Sequence, residues 1–325
     1  MKILIIGAAG MVGRKLTARL VADGSLGGRE IAGLTLVDVV EPARPEAGFP
    51  VETRTADLSD PGVAESVVAS RPDVIFHLAA IVSGEAEADF DKGYRVNLTG
   101  TMNLFDAVRV IDGYVPRVVF TSSIAVFGAP FPDVIPDEFF HTPLTSYGTQ
   151  KSIGELILAD YTRRGLMDGV GIRLPTINVR PGKPNKAASG FFSGIIREPL
   201  AGKEAILPVS EDVLHWHASP RSAVGFLVHA ATLDGETIGP RRNLTMPGVA
   251  ATVGEQIAAL REIAGDSVVA RIRREPDETI IRIVAGWPTR FTAARATELG
   301  FKAEGSFAEI IRAHIDDELG GDWVH

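Results

Sequence analysis

Lys2-Ile3-Leu4-Ile5-Ile6-Gly7-Ala8-Ala9-Gly10-Met11-Val12-Gly13 is the stretch that decides the fold. A short unbroken apolar run ended by glycine is the pattern of a strand buried on both faces, as in a parallel sheet. Leu16 and Leu20 then carry a helical period, so the chain passes from strand through a glycine turn into a helix. Glycines let the backbone approach a pyrophosphate, and the helix behind them offers free N–H groups and the positive end of its dipole. The spacing is G-x-x-G-x-x-G through Gly7, Gly10 and Gly13, with Met11 and Val12 opening the helix beside the ligand.

Outward from that turn, strand and helix alternate. Leu34 to Asp38 forms a second strand whose last residue can accept hydrogen bonds from an adenosine ribose. A carboxylate there repels a 2′-phosphate, and the nearest arginine is Arg44, so the pattern favours NAD over NADP. Val51 to Thr55 leads to Asp57-Leu58, where the carboxylate either meets the adenine or caps the helix opened by Ser59-Asp60-Pro61. Asp73 to Ala80 runs into Leu78-Ala79-Ala80, side chains small enough to wall a cofactor, and His77 inside this run reads as a core histidine.

A long helix from Phe90 past Asn97 to Val110, a strand from Arg117 to Thr121, a helix over 146 to 164 and a strand from Val170 to Leu174 follow. This alternation predicts an α/β fold, a doubly wound parallel Rossmann sheet over residues 1–175 with ligands at the C-terminal strand ends. Residues 176–325 read as a smaller C-terminal α/β substrate lobe, interleaved at its boundary. Its helices are expected at Ser189 to Ala201, Pro220 to Leu233, Val253 to Ala264 and Phe307 to Leu319, and its strands near Ala205 to Leu207 and Val268 to Ile272. Arg180 to Lys186 is turn-rich and basic, a candidate lid.

The chemistry is carried by Ser146-Tyr147-Gly148-Thr149-Gln150-Lys151 together with Thr121-Ser122-Ser123 at the end of the fifth strand. Tyr147 and Lys151 stand four apart on one helix face, so an ammonium can favour the ionised phenol and let it act as a base. Ser123 would hold the reacting oxygen, and Ser122 either touches the substrate or packs.

The 325 residues are 45% hydrophobic and 23% charged, a globular composition, with a net charge of -8 and no long basic run. That argues against nucleic-acid partners and anionic membrane surfaces. With no cysteine, thiolate metal sites and disulfides are excluded, and no His/Asp/Glu spacing suggests a metal. The first residues lack a signal-peptide pattern and no apolar run reaches membrane length, so a soluble cytoplasmic protein is expected.

These motifs resemble those of the extended short-chain dehydrogenase/reductase family, over nearly the whole chain. Gly7, Gly10 and Gly13 match its cofactor loop, Asp38 its ribose carboxylate, Asp57-Leu58 its adenine contact and Leu78-Ala79-Ala80 its fourth-strand motif. Asn97 matches the asparagine behind the active site, Pro175 falls beside the cofactor, and Ser123, Tyr147 and Lys151 match the catalytic set. The resemblance implies an NAD-dependent oxidoreductase and a homodimer built on the helices around 90 to 110 and 146 to 164. Within the family, residues 180 to 197 and His215-Trp216-His217-Ala218-Ser219-Pro220-Arg221 are most similar to enzymes that oxidise D-erythronate-like four-carbon sugar acids at C2.

Two features depart from the sugar-nucleotide branch. Arg173-Leu174-Pro175-Thr176 lacks that branch's asparagine, and Ile124-Ala125 replaces the acidic pair of its dehydratases. A nucleoside-diphosphate-sugar epimerase is the alternative reading. An acid substrate needs a fixed cation, for which Arg221 ranks first and Lys186 stands in reserve, with Asn185, Ser189 and His217 as hydroxyl contacts.

Overall fold

The computed structural model describes residues 1–182 and 188–325. Its centre is a seven-stranded parallel sheet of β1 (Lys2–Ile6), β2 (Gly33–Asp38), β3 (Val51–Thr55), β4 (Val74–His77), β5 (Arg117–Ser123), β6 (Asp168–Leu174) and β7 (Asn243–Thr245). The strand order is β7-β6-β5-β4-β1-β2-β3, which reverses direction between β1 and β4. That switch point opens a crevice at the C-terminal strand ends, where open α/β sheets take their ligands. The doubly wound Rossmann sheet expected from the alternating pattern is therefore present.

Both faces of the sheet are covered, which explains why its strands read as continuous apolar runs. On one face α1 (Met11–Asp23) contributes Leu16 and Leu20. On the other α2 (Gly100–Arg109) contributes Leu104, Phe105 and Val108, and α3 (Ser146–Arg163) contributes Leu158. Each such side chain stabilises the fold by about 1.5–3 kcal/mol relative to exposure. A separate core gathers Phe192, Ile195, Ile257, Leu260, Ile310 and Ile311 from helices Gly190–Leu200, Val253–Ala264 and Phe307–Leu319.

Several elements differ from the expected ones. The boundary is deeply interleaved: α4 (Pro220–Thr232) packs Phe226 and Leu227 against the first core, and β7, not foreseen in the sequence, joins the sheet beside β6. β7 is only three residues long, too short for a period to register. The helix predicted from Ser59-Asp60-Pro61 begins at Val63, because the chain first turns through Gly62 at φ 79°. The predicted strand Val268 to Ile272 is instead a short helix, Asp266–Val269, followed by a strand at Ile272–Arg274 that pairs with Ala205–Leu207. Residues 90 to 109 form one helical run with a wide turn at Tyr94–Thr99. No described helix is long and apolar enough to cross a membrane.

Candidate active site

The glycine loop has the shape its composition implies. Gly7 turns at φ +91°, and a Cβ on Gly13 would lie 2.2 Å from the Gly7 carbonyl oxygen, so the first turn of α1 can close on β1 only without a side chain there. The helix start at Gly10 has no side-chain cap, which leaves the N–H groups at Met11 and Val12 for an anion. Asp38, at the tip of β2, accepts a hydrogen bond from Ala9 N at 2.9 Å. Its other oxygen receives Val40 N at 3.3 Å. One carboxylate thus braces the loop and stands at the strand end where a ribose would sit. We expect Asp38→Ala to weaken NAD binding about tenfold and NADP binding less, measured as the ratio of the two dissociation constants. An unchanged ratio would remove Asp38 from cofactor choice.

Two residues matched to the cofactor also have partners within the protein. The Asp57 carboxylate accepts Ser59 N at 2.9 Å, Ser59 Oγ at 2.7 Å and Arg95 Nη1 at 2.9 Å. Burial opposes its charge, but these donors prevail and hold the carboxyl below its usual range. Leu58 is buried beside it. Asn97 is 1% exposed and spends its amide on the backbone of Ile81, at 2.9 and 3.2 Å, and on Gln150 Oε1 at 2.8 Å. It supports the segment after β4 and makes no contact with the cavity. His77 packs in the core as expected, 2.8 Å from Thr101 Oγ1, and burial lowers its pKa to about 3.

A cavity of about 680 Å³ opens at the switch point. Val12, Leu78, Ala80 and Pro175 line its cofactor side, and Ser122, Ser123, Tyr147 and Lys151 line its centre. Ala79 lies between two of these, its N–H against Gly7. α3 reaches the cavity because Thr145 caps its N-terminus, accepting Gly148 N at 3.0 Å. Gly148 permits the close approach, since a Cβ there would meet the Ala125 carbonyl at 2.2 Å.

Tyr147 and Ser123 line the cavity together. Burial pushes the phenol up to about 12, and the Ser123 hydroxyl works against that rise. Lys151 is 2% exposed and donates to the Thr121 carbonyl at 2.9 Å, with its nitrogen 5.8 Å from the Tyr147 ring centre. Burial lowers it to about 8, while Glu155 one turn further along α3 raises it. The expected lowering of the tyrosine by its lysine does not appear: burial raises the phenol and only Ser123 opposes it.

The substrate contacts named from sequence separate sharply. Ser189 lines the cavity. Ser122 reaches it, but its hydroxyl donates to Glu155, behind the wall. His217 is fully buried between Phe192 and Phe307, 3.1 Å from Gln256 Nε2, and does not line this cavity. Arg221 lies on the surface at the start of α4, where Asp317 takes its guanidinium at 2.6 Å. Both are corrections: His217 is enclosed by Phe192, Phe307 and Gln256, and Arg221 projects from an outward helix face toward Asp317. Asn185 and Lys186 lie outside the described residues.

The cation that sequence reasoning missed is Arg180. It lines the cavity and donates to Ser189 Oγ at 2.6 Å, and Arg197 holds its backbone through a 2.6 Å bond to the Arg180 carbonyl. Burial and the charge of Arg197 lower its pKa. No carboxylate among the described residues pairs with it, and residues 183–187 contain none. His215, Thr176 and Trp287 also line the cavity, with Thr176 Oγ1 2.7 Å from His215 Nε2.

Residues 3–218 match the model of the NAD dependent epimerase/dehydratase family. The chain belongs to that family. It is 47% identical over 321 residues to D-erythronate dehydrogenase of Cupriavidus necator, covering 98% of both chains. It is 40% identical to D-erythronate dehydrogenase of Haemophilus influenzae, covering 98% of this chain and all of the other. A crystal structure described as a nucleoside-diphosphate-sugar epimerase of Agrobacterium tumefaciens superposes with a TM-score of 0.97 at 68% identity, covering 99% of this chain and 95% of that one. The holo form of a GalE-like L-threonine dehydrogenase from Cupriavidus necator shares the fold, with a TM-score of 0.84 at 24% identity over 98% of this chain and 99% of that one. The fold, the glycine loop and the family agree on NAD as the cofactor, and the curated relatives of this family are dehydrogenases.

Proposed function

We propose that this protein oxidises a small sugar acid of the D-erythronate kind at C2, giving the 2-keto acid, with NAD as oxidant and Tyr147 as general base. The observation that carries this reading is one cavity holding both the Tyr147–Ser123 pair and the Arg180 guanidinium, which has no carboxylate partner. A cation left unpaired in a partly buried wall favours an anionic ligand, and a guanidinium suits the two oxygens of a carboxylate. The two curated relatives are named D-erythronate dehydrogenases, which supports oxidation of a sugar acid.

NAD, when bound, supplies the hydride acceptor and a positive charge close to the phenol. The glycine loop, Asp38, Val12, Leu78, Ala80 and Pro175 would hold it. Tyr147 takes the C2 hydroxyl proton, and Ser123 donates to the same oxygen and fixes its direction. Lys151 keeps an ammonium beside the ring, which favours the phenolate. Arg180 and Ser189 grip the carboxylate, so C2 stays in line with Tyr147.

The second reading, a sugar-nucleotide epimerase, draws on the description of the Agrobacterium structure at 68% identity. Against it stands Thr176, whose hydroxyl is bonded to His215 where that branch keeps an asparagine for its diphosphate. The test is to incubate the protein and NAD with C4 to C6 aldonates and uronates, and separately with UDP-sugars. Net NADH from a short aldonate supports the reading; isomerised UDP-sugar without net NADH overturns it. The exposed apolar residues Phe90, Val110 and Leu156, carried by or beside the helical run to Arg109 and by α3, support a homodimer on that face. Light scattering should then give about twice the 34.6 kDa chain mass, and a monomer with full activity would contradict it.

A further inference from the structure

Glu155 has no exposed surface, yet it receives donors from three separate segments around the cavity. Arg173, at the end of β6, gives Nε bonds of 3.0 and 3.1 Å and an Nη2 bond of 2.7 Å. His141 Nε2, from the chain leading into α3, lies 2.9 Å from the same carboxylate. Ser122, at the end of β5, donates its hydroxyl to Oε1. Burial disfavours the charge, but Arg173 and His141 overcome it and bring the carboxyl down to about 2. A buried ion pair alone is weak evidence of a stabilising role, since desolvation offsets much of its attraction. The placement is more informative than the pairing. Ser122 is the neighbour of Ser123 in the chain, Glu155 follows Lys151 by one turn of α3, and Arg173 precedes Pro175 and Thr176 on the cavity wall.

We infer that Glu155 is a positioning residue for the reaction: through Ser122 it locks the end of β5 against α3, fixing Ser123 relative to Tyr147. This rests on the proposed role of Tyr147 as base. Catalytic groups misplaced by about an ångström lose a large share of their effect, so loosening this clamp should slow chemistry rather than binding. Arg173 is on β6, His141 on the preceding segment, Lys151 on α3, and His77, whose pKa Lys151 depresses, is neutral on β4.

The test uses the full-length enzyme with NAD and its acid substrate, comparing Ser122→Ala and Glu155→Gln with wild type. Ser122→Ala removes one hydroxyl and should lower kcat about tenfold, with KM for the acid and NAD affinity within twofold. Glu155→Gln should lower kcat further and move the pH at which kcat rises upward. Glu155 is one turn from Lys151 and two from Tyr147, so the loss of ammonium character outweighs any direct relief of the phenolate. A raised KM with unchanged kcat in Ser122→Ala would overturn the inference in favour of a substrate contact. Lowered thermal stability with wild-type kcat and pH profile would overturn it in favour of a purely structural pair. If Glu155→Gln fails to fold, Ser122→Ala decides alone. Failure of wild type to oxidise any acid would strike at the proposed function, not at this clamp.

Discussion

Tyr147→Phe will lower turnover about 10³-fold while the affinity for NAD stays within about threefold of wild type, because the ring remains and only the proton acceptor is lost. The phenol lines the cavity beside Ser123, and the one carboxylate in the described lining, Glu87, is engaged by the Ser146 backbone N–H. His215 also lines the cavity, but burial lowers its pKa to about 4 and Thr176 holds its Nε2. The pH dependence follows from the same geometry. A base must be deprotonated, so oxidation should speed up as pH rises toward the phenol's working pKa. Burial pushes that pKa up to about 12 and Ser123 works against the rise; on the proposed mechanism the Lys151 ammonium and a bound oxidised cofactor would lower it further. Lys151→Ala removes one of the lowering charges, so the rise should move to higher pH. Retained turnover in Tyr147→Phe, or an unmoved profile in Lys151→Ala, would remove these residues from proton transfer.

Arg180→Met will reduce kcat/KM for the acid on the order of 100-fold, chiefly through KM, and Arg221→Met will leave it within twofold. A charged hydrogen bond to a carboxylate is worth about 1.5–3 kcal/mol, so losing both halves of a bidentate grip accounts for that factor. Methionine keeps much of the volume, which limits damage to the wall. Arg221 serves as the control, because its guanidinium is half exposed and already paired with Asp317. The measurement is steady-state kinetics with varied acid at saturating NAD. Loss in Arg221→Met with wild-type kinetics in Arg180→Met would reverse the assignment.

The sheet was legible because its signals are local. Ile3 to Ile6 is buried on both faces and reads as an unbroken apolar run, and Gly13 is a position where only a missing side chain fits. Tyr147 and Lys151 were legible for a similar reason, since a spacing of four on a helix guarantees a shared face. The carboxylate partner was not. Arg180 and Arg221 are chemically alike in sequence, and what separates them is whether an acid such as Asp317, 96 positions away, has taken the charge. Likewise His215 and His217 share one strand face, and nothing in the sequence around them reveals that Phe307 and Gln256 cover His217 while His215 reaches the cavity. Ser122 reads as a site residue beside Ser123, but its partner Glu155 lies 33 positions on. Long-range pairing decides these roles, and periodicity carries no trace of it.

The central claim is hydride removal from C2 of a short sugar acid, and deuterium reports on it directly. D-erythronate labelled with deuterium at C2 should transfer that atom to NAD, yielding deuterated NADH in equal amount to a 2-keto acid. Unlabelled NADH from the same substrate, or deuterium retained in an acid that is only isomerised with no net NADH, would contradict the account.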